Sequence, residues 1–176
     1  MATGHRVSQL AALLRSPEFT RFGPGLSSVT QVPRPAFLAK NEREGHRVGP
    51  VTVLAWRACS VPHALCPVAA LSDFLESTRL SRADELWVRP DSLSPLGVRG
   101  LAALLVRLIR DADPGSRPRA HQVRKYAASL AFFRSFDVDR VRRAGQWSSP
   151  ASFISRYLVT HLRDAPCVAL GARPVP

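Results

Sequence analysis

Lysine is almost missing from this chain. Of its 25 basic residues only Lys40 and Lys125 are lysines and the rest are arginines, so the net charge of +12 is carried by guanidinium groups. Cysteine is scarce as well. Cys59, Cys66 and Cys167 are an odd number in a chain too large to need covalent staples, which excludes a disulfide framework and makes a reducing compartment the default. No hydrophobic run is long enough for a membrane-spanning helix, and the N-terminus MATGHRVSQL lacks the apolar core of a secretory signal. The expectation is a soluble, intracellular protein with no membrane partner. In CSVPHALC the residues Cys59, His63 and Cys66 lie close together, yet no fourth ligand and no CxxC or HxxxH knuckle accompanies them. They read as ordinary partly buried side chains, and no metal is expected.

What is present is a chain of 176 residues, 45% hydrophobic, enough for one domain with a real core. Acidic residues number 13, about half the basic ones, and the positive charge is spread along the chain rather than gathered in a tail. A folded, basic surface suits a polyanion, most simply nucleic acid. Arginine enrichment through a GC-rich coding sequence is the plain alternative.

Periodicity predicts helices around a small sheet. HRVSQLAALLRS carries Val7, Leu10, Leu13 and Leu14 at helical spacing. The stretch from Ser27 to Trp56 alternates Val29 with Val32, runs through Phe37 and Leu38 to a charged hairpin tip near Lys40 to Gly45, and returns through Val51 to Leu54. A helix then starts at Pro67 and carries Val68, Leu71 and Leu75; ELWVRP is a short strand or turn; Ser94-Pro95 opens a second long helix through Val98, Leu101, Leu105 and Leu108. After DADPGSRP a third helix runs from His121 to about Phe136, burying Val123, Ala127, Leu130 and Phe133. Asp137 caps a short helix ending at Gly145, and Ser149-Pro150 opens the last one. The fold class expected is α+β, mainly α-helical, with a small three-stranded antiparallel sheet. The tail after Leu170 reads as loose.

The segment AHQVRKYAASLAFFRSFDVDRVRRAGQWSSPASFISRYL concentrates the residues of interest. His121 and Arg124 sit one helical turn apart, but five His and 23 Arg in the chain give about 0.7 such pairs by chance. Tyr157 is in register with Phe153, Ile154 and Leu158, the pattern of a core aromatic, and Trp147 after a glycine suits a packing anchor. Singly, each is explained by packing.

Jointly they resemble the catalytic domain of the tyrosine recombinase, or phage-type integrase, family. TGHRVSQ matches that family's TGxRxxE and supplies Arg6; FLAKNE supplies Lys40 on a hairpin; AHQVR supplies His121 and Arg124; AGQW supplies Trp147; FISRYL supplies Tyr157. The wording CPVAAL, LIRDADPG, PRAHQVRKYAASLAFF and SFISRYLV is similar to the recombinase of DIRS-type retroelements, where Trp in place of a second His is also expected. The resemblance covers nearly everything up to His161 and implies a catalytic domain over 1–165, with the family's N-terminal DNA-clamp domain absent, and a C-terminal tail over 166–176. It implies double-stranded DNA as partner, a homotetramer on paired sites and a monomer when free, and a nuclear location.

The implied chemistry is transesterification with no cofactor. Arg6 and Arg124 would clamp the phosphate, His121 would bind it or assist proton transfer, and Trp147 would add a donor or pack the pocket. Lys40 would protonate the leaving oxygen, and Tyr157 would be the nucleophile. The family's acidic residue three positions after the first Arg is Gln9 here. A DNA-binding module of the same fold that has lost turnover is the alternative.

Overall fold

Alternating burial along SVTQ builds the sheet. The computed structural model describes residues 5–38, 50–55, 65–115, 117, 119–145, 150–151 and 154. The architecture is α+β and mainly helical. In chain order the elements are α1 (Val7–Ala11), β1 (Thr20–Phe22), β2 (Ser28–Gln31), β3 (Val51–Leu54), α2 (Pro67–Ser77), α3 (Val98–Ala112), α4 (Gln122–Ser135) and α5 (Val138–Gly145). They form two compact units: Val7–Leu101 is one, and Ala102–Pro176 with Thr3–Arg6 is the other.

In the first unit the strands are antiparallel in the order β1-β2-β3. Val29 pairs with Val53 and Gln31 with Val51, and these positions form the inner face; Val29 is 2% exposed. Thr30 and Thr52 pair on the other face and share a 2.9 Å hydroxyl hydrogen bond. The sheet differs from expectation in its third member. Phe37 and Leu38 are not in a strand, because Pro33 and Pro35 remove ladder donors and Phe37 closes a turn onto the Arg34 carbonyl. The third strand is β1, from FTRF, anchored where the Thr20 hydroxyl donates to the Leu14 carbonyl at 2.7 Å. The hairpin tip at 40–45 lies outside the described residues.

The first helix is also shorter than its periodicity predicts. It stops at Ala11, and Leu13 and Leu14 run extended, bridging to Pro33 and Glu85. Pro17 disfavours helix at the residue before it, and Leu86 N–H and Arg15 N–H complete the pairing to the Leu13 and Asp84 carbonyls. Both leucines are therefore buried as expected, but on the two sides of an extended segment. ELWVRP is such a segment too, and its pairing to residues 94–96 delays the start of α3 to Val98.

The core joins Leu13, Val29, Cys66, Val68, Ala69, Leu71 and Leu86, with Phe74 and Trp87 in ring contact at 5.5 Å. Burying a valine or leucine side chain stabilises by about 1.5–3 kcal/mol. Arg15 fastens the end of α2, donating from Nη2 to the Thr78 carbonyl at 2.8 Å, where the helix dipole favours a cation. On α3 the expected stripe is only partly covered: Leu101 is buried, Leu105 half-buried, and Val98 and Leu108 exposed.

In the second unit α4 and α5 form a helical hairpin. Phe136 ends α4 in the left-handed region at φ 49°. Asp137 then caps α5 as expected, accepting the Arg140 N–H at 2.8 Å. Ala128 and Phe132 pack with Val138 and Val141. This rolls α4 away from the face predicted. Val123, Ala127 and Phe133 are half-buried, whereas Arg124, Ala128 and Ser129 are fully buried. The side chain of Leu130 lies outside the described residues.

Glu85 lies below the usual carboxylate range, chiefly because Arg34 Nη2 donates to its Oε1 at 2.7 Å and secondarily through a backbone hydrogen bond, against a small opposing effect of burial. A depressed folded-state value means that the contribution is present above the unfolded value of about 4.3 and is lost as pH falls through the folded one. With the two side chains 46% and 29% exposed, solvent screening holds the pair to about 1 kcal/mol or less. Urea melts should show Arg34→Ala less stable than the parent by that amount at neutral pH, with the gap closing as pH falls through the folded-state value of Glu85. A gap that persists in acid would assign the loss to Arg34 packing instead.

Candidate functional site

The head of α4 is built by its own sequence. Gln122 N–H donates to the Arg119 carbonyl at 2.9 Å, and the Gln122 side chain reaches back to accept the Arg119 N–H at 2.6 Å. Together these two bonds close the turn from Arg119 to His121 just ahead of the helix. His121 is exposed at the cap position; Arg124, one turn later, is 4% exposed.

Arg124 lies on the same face as Ala128 and Phe132, at spacings of four residues. A permanent charge thus heads an otherwise apolar stripe. Arginine is rarely buried to this degree without compensation, since the desolvation penalty of an ion is several kcal/mol. Small neighbours, Ala128 and Ser129, follow it in the next turn. Its burial answers the question that the HxxR spacing left open: Arg124 is not a solvated surface charge.

Arg6 is half-buried and belongs to the same unit as α4, although the α1 that follows it belongs to the other. Three of the six expected site residues, Arg6, His121 and Arg124, therefore fall in one compact unit despite more than a hundred residues of separation. Lys40, Trp147 and Tyr157 lie outside the described residues, as do Cys59 and His63. Pro150, Ala151 and Ile154 are helical, in keeping with a helix opening at Ser149-Pro150. Gln9, in the place of the expected acid, is buried in α1 at 5% exposure.

Beside His121 is a recess of about 270 Å³ lined by Arg119, His121, Gln122, Lys125 and Tyr126. Sequence reasoning did not single out Arg119, Lys125 or Tyr126. A signal existed, because Lys125 is one of two lysines and Tyr126 one of two tyrosines, and both adjoin the HxxR pair. Two guanidiniums and an imidazole in one unit have the donors to bind a tetrahedral oxyanion: arginine presents a planar fork, and imidazole accepts or donates a proton near neutrality.

Solved structures of site-specific recombinases share this fold. The XerH site-specific recombinase bound to difH substrate in a pre-cleavage complex superposes with a TM-score of 0.60 at 18% identity, over 86% of this chain and 38% of that one. Its post-cleavage complex with palindromic difH substrate gives 0.60 and 18%, over 86% and 37%. The XerA recombinase gives 0.59 and 18%, over 99% and 56%. At this identity the likeness is one of fold, and the chain spans roughly two fifths to just over half of the length of these proteins. No family model matches the sequence, and no curated protein does.

Burial of Arg124 makes a direct prediction. Arg124→Ala should cost about 2–5 kcal/mol in denaturant unfolding, through the emptied space and the groups it leaves behind. Arg140→Ala, on the exposed side of α5, should stay within about 0.5 kcal/mol. Equal effects would mean that Arg124 is not held in the interior.

Proposed function

We propose that this chain cuts and rejoins DNA strands through a covalent 3′-phosphotyrosyl intermediate, in the recombination or integration of a mobile element of the DIRS-type retroelement kind. The observation that carries the reading is the buried Arg124 one turn after exposed His121, in a unit that also holds Arg6, on a fold shared with site-specific recombinases.

The Tyr157 oxygen attacks the scissile phosphorus as its proton leaves. The bond from phosphorus to the 5′-oxygen breaks, and that oxygen takes a proton from Lys40 to become a free 5′-hydroxyl. Arg6 and Arg124 hold the non-bridging oxygens, where their fixed forks oppose the charge that builds in the transition state. His121 donates to the same phosphate or takes the phenol proton, and Trp147 adds an indole donor or packs the pocket. A phenol with a reference value of about 10 needs this cationic setting to react near neutrality. The covalent link conserves bond energy, so attack by a 5′-hydroxyl rejoins the strand without ATP or metal. Double-stranded DNA is then the partner, a tetramer on paired sites the working assembly, and the nucleus the place of action.

A second reading is favoured by Gln9. A buried amide cannot supply the charge of the acid expected there, and an Arg6 oriented differently would leave a DNA-binding module without turnover.

Covalent trapping separates the two. Incubated with nicked duplexes and denatured in detergent, the parent should yield a retarded protein–DNA band that is lost in Tyr157→Phe and in Arg124→Lys, which keeps the charge but not the fork. Salt-sensitive DNA binding with no such band would support the silent module.

A further inference from the structure

The recess at the head of α4 has no role in the chemistry above beyond its one shared residue, His121. Its walls are of a particular kind. Arg119 and Lys125 bring two cations to it, and among the described residues no carboxylate pairs with either. Arg119 is exposed and Lys125 half-buried, and the Gln122 side chain accepts the Arg119 N–H, which holds the turn that bears Arg119 at the head of α4. Tyr126 adds an aromatic wall. A recess of about 270 Å³ is larger than a single bound ion needs.

Two cations lining one recess with a phenol ring, and paired by no carboxylate among the described residues, are suited to a phosphodiester, with the charge taken by Arg119 and Lys125 and the sugar lying against Tyr126. We infer that this recess is a second phosphate site, which holds a phosphodiester of the DNA flanking the one gripped through Arg124. The inference rests on the reading of this chain as DNA-acting, and it deepens that reading by assigning residues outside the six. Gln122 acts as a positioning residue, through the Arg119 turn. The recess, sharing His121 with the first site, sets the register of the strand.

Salt-titrated fluorescence anisotropy with a labelled nicked duplex tests this. The log of the binding constant should fall linearly with log salt for the parent, and the double variant Arg119→Ala/Lys125→Ala should bind more weakly with a slope shallower by about one, the loss of one neutralised phosphate. Lys125→Arg should retain most of the parent slope, and thermal melts matching the parent would exclude misfolding as the cause. A double variant that melts, binds and responds to salt like a parent that does bind DNA would overturn the recess as a phosphate site while leaving the Tyr157 reading intact. The reading itself fails separately, if the parent gives no Tyr157-dependent adduct; a shallower slope in the double variant would then still support the recess.

Discussion

A guanidinium buried in the stripe of a helix constrains the whole unit around it. Arginine does not deprotonate in proteins, so the unit built on α4 has to accommodate a full charge at 4% exposure. The arrangement of α4 follows from that requirement. Ala128 and Ser129 are small where the next turn would otherwise crowd Arg124, the apolar packing against Val138 and Val141 is displaced toward the far end of the helix, and the cap end is left polar and open at His121. A hydrophobic residue at position 124 would complete an ordinary buried stripe. The charge is therefore a departure from what stability alone would select, the kind of local conflict expected where a site overrides packing.

The other unit is built differently. Its main core cluster is apolar, its sheet is short, and its elements are tied at their ends by side-chain hydrogen bonds, from Arg15 Nη2 to the Thr78 carbonyl at the end of α2 and from the Thr20 hydroxyl to the Leu14 carbonyl. Its buried core side chains come from four separate stretches of sequence, so it holds together through long-range contacts rather than through any one stable helix. That division of labour leaves α4 free to be marginal in apolar packing and specific in polar groups.

Much of the fold was legible because helical period and turn chemistry dominate where segments are long. The helix from Pro67, the helix carrying Leu101, the Asp137 cap and the antiparallel pairing of residues 28–31 with 51–54 all follow from local pattern. What was not legible is decided by distant partners. Leu13 and Leu14 fit a helix until residues 84–86 pair with them, β1 is too short to alternate, and the buried face of α4 is chosen by α5. Spacing put His121 and Arg124 one turn apart but could not give their unequal burial, which depends on what packs against the head of α4.

The shortage of lysine takes on meaning at this point. Arginine along most of the surface is explained by composition alone, and it says little about where a polyanion would lie. Lysine is different, since there are two, and one of them lies in the recess beside His121. A compact, mobile ammonium and a rigid guanidinium fork do different things to a phosphate: the fork fixes orientation through paired donors, whereas the ammonium neutralises charge without fixing it. On the function proposed above, buried Arg124 would hold one phosphate in a single geometry, while Arg119 and Lys125, nearer solvent, would hold a neighbouring one loosely enough to let a strand enter and leave. The difference in burial among these three cations at the head of α4 would then also be a difference in grip.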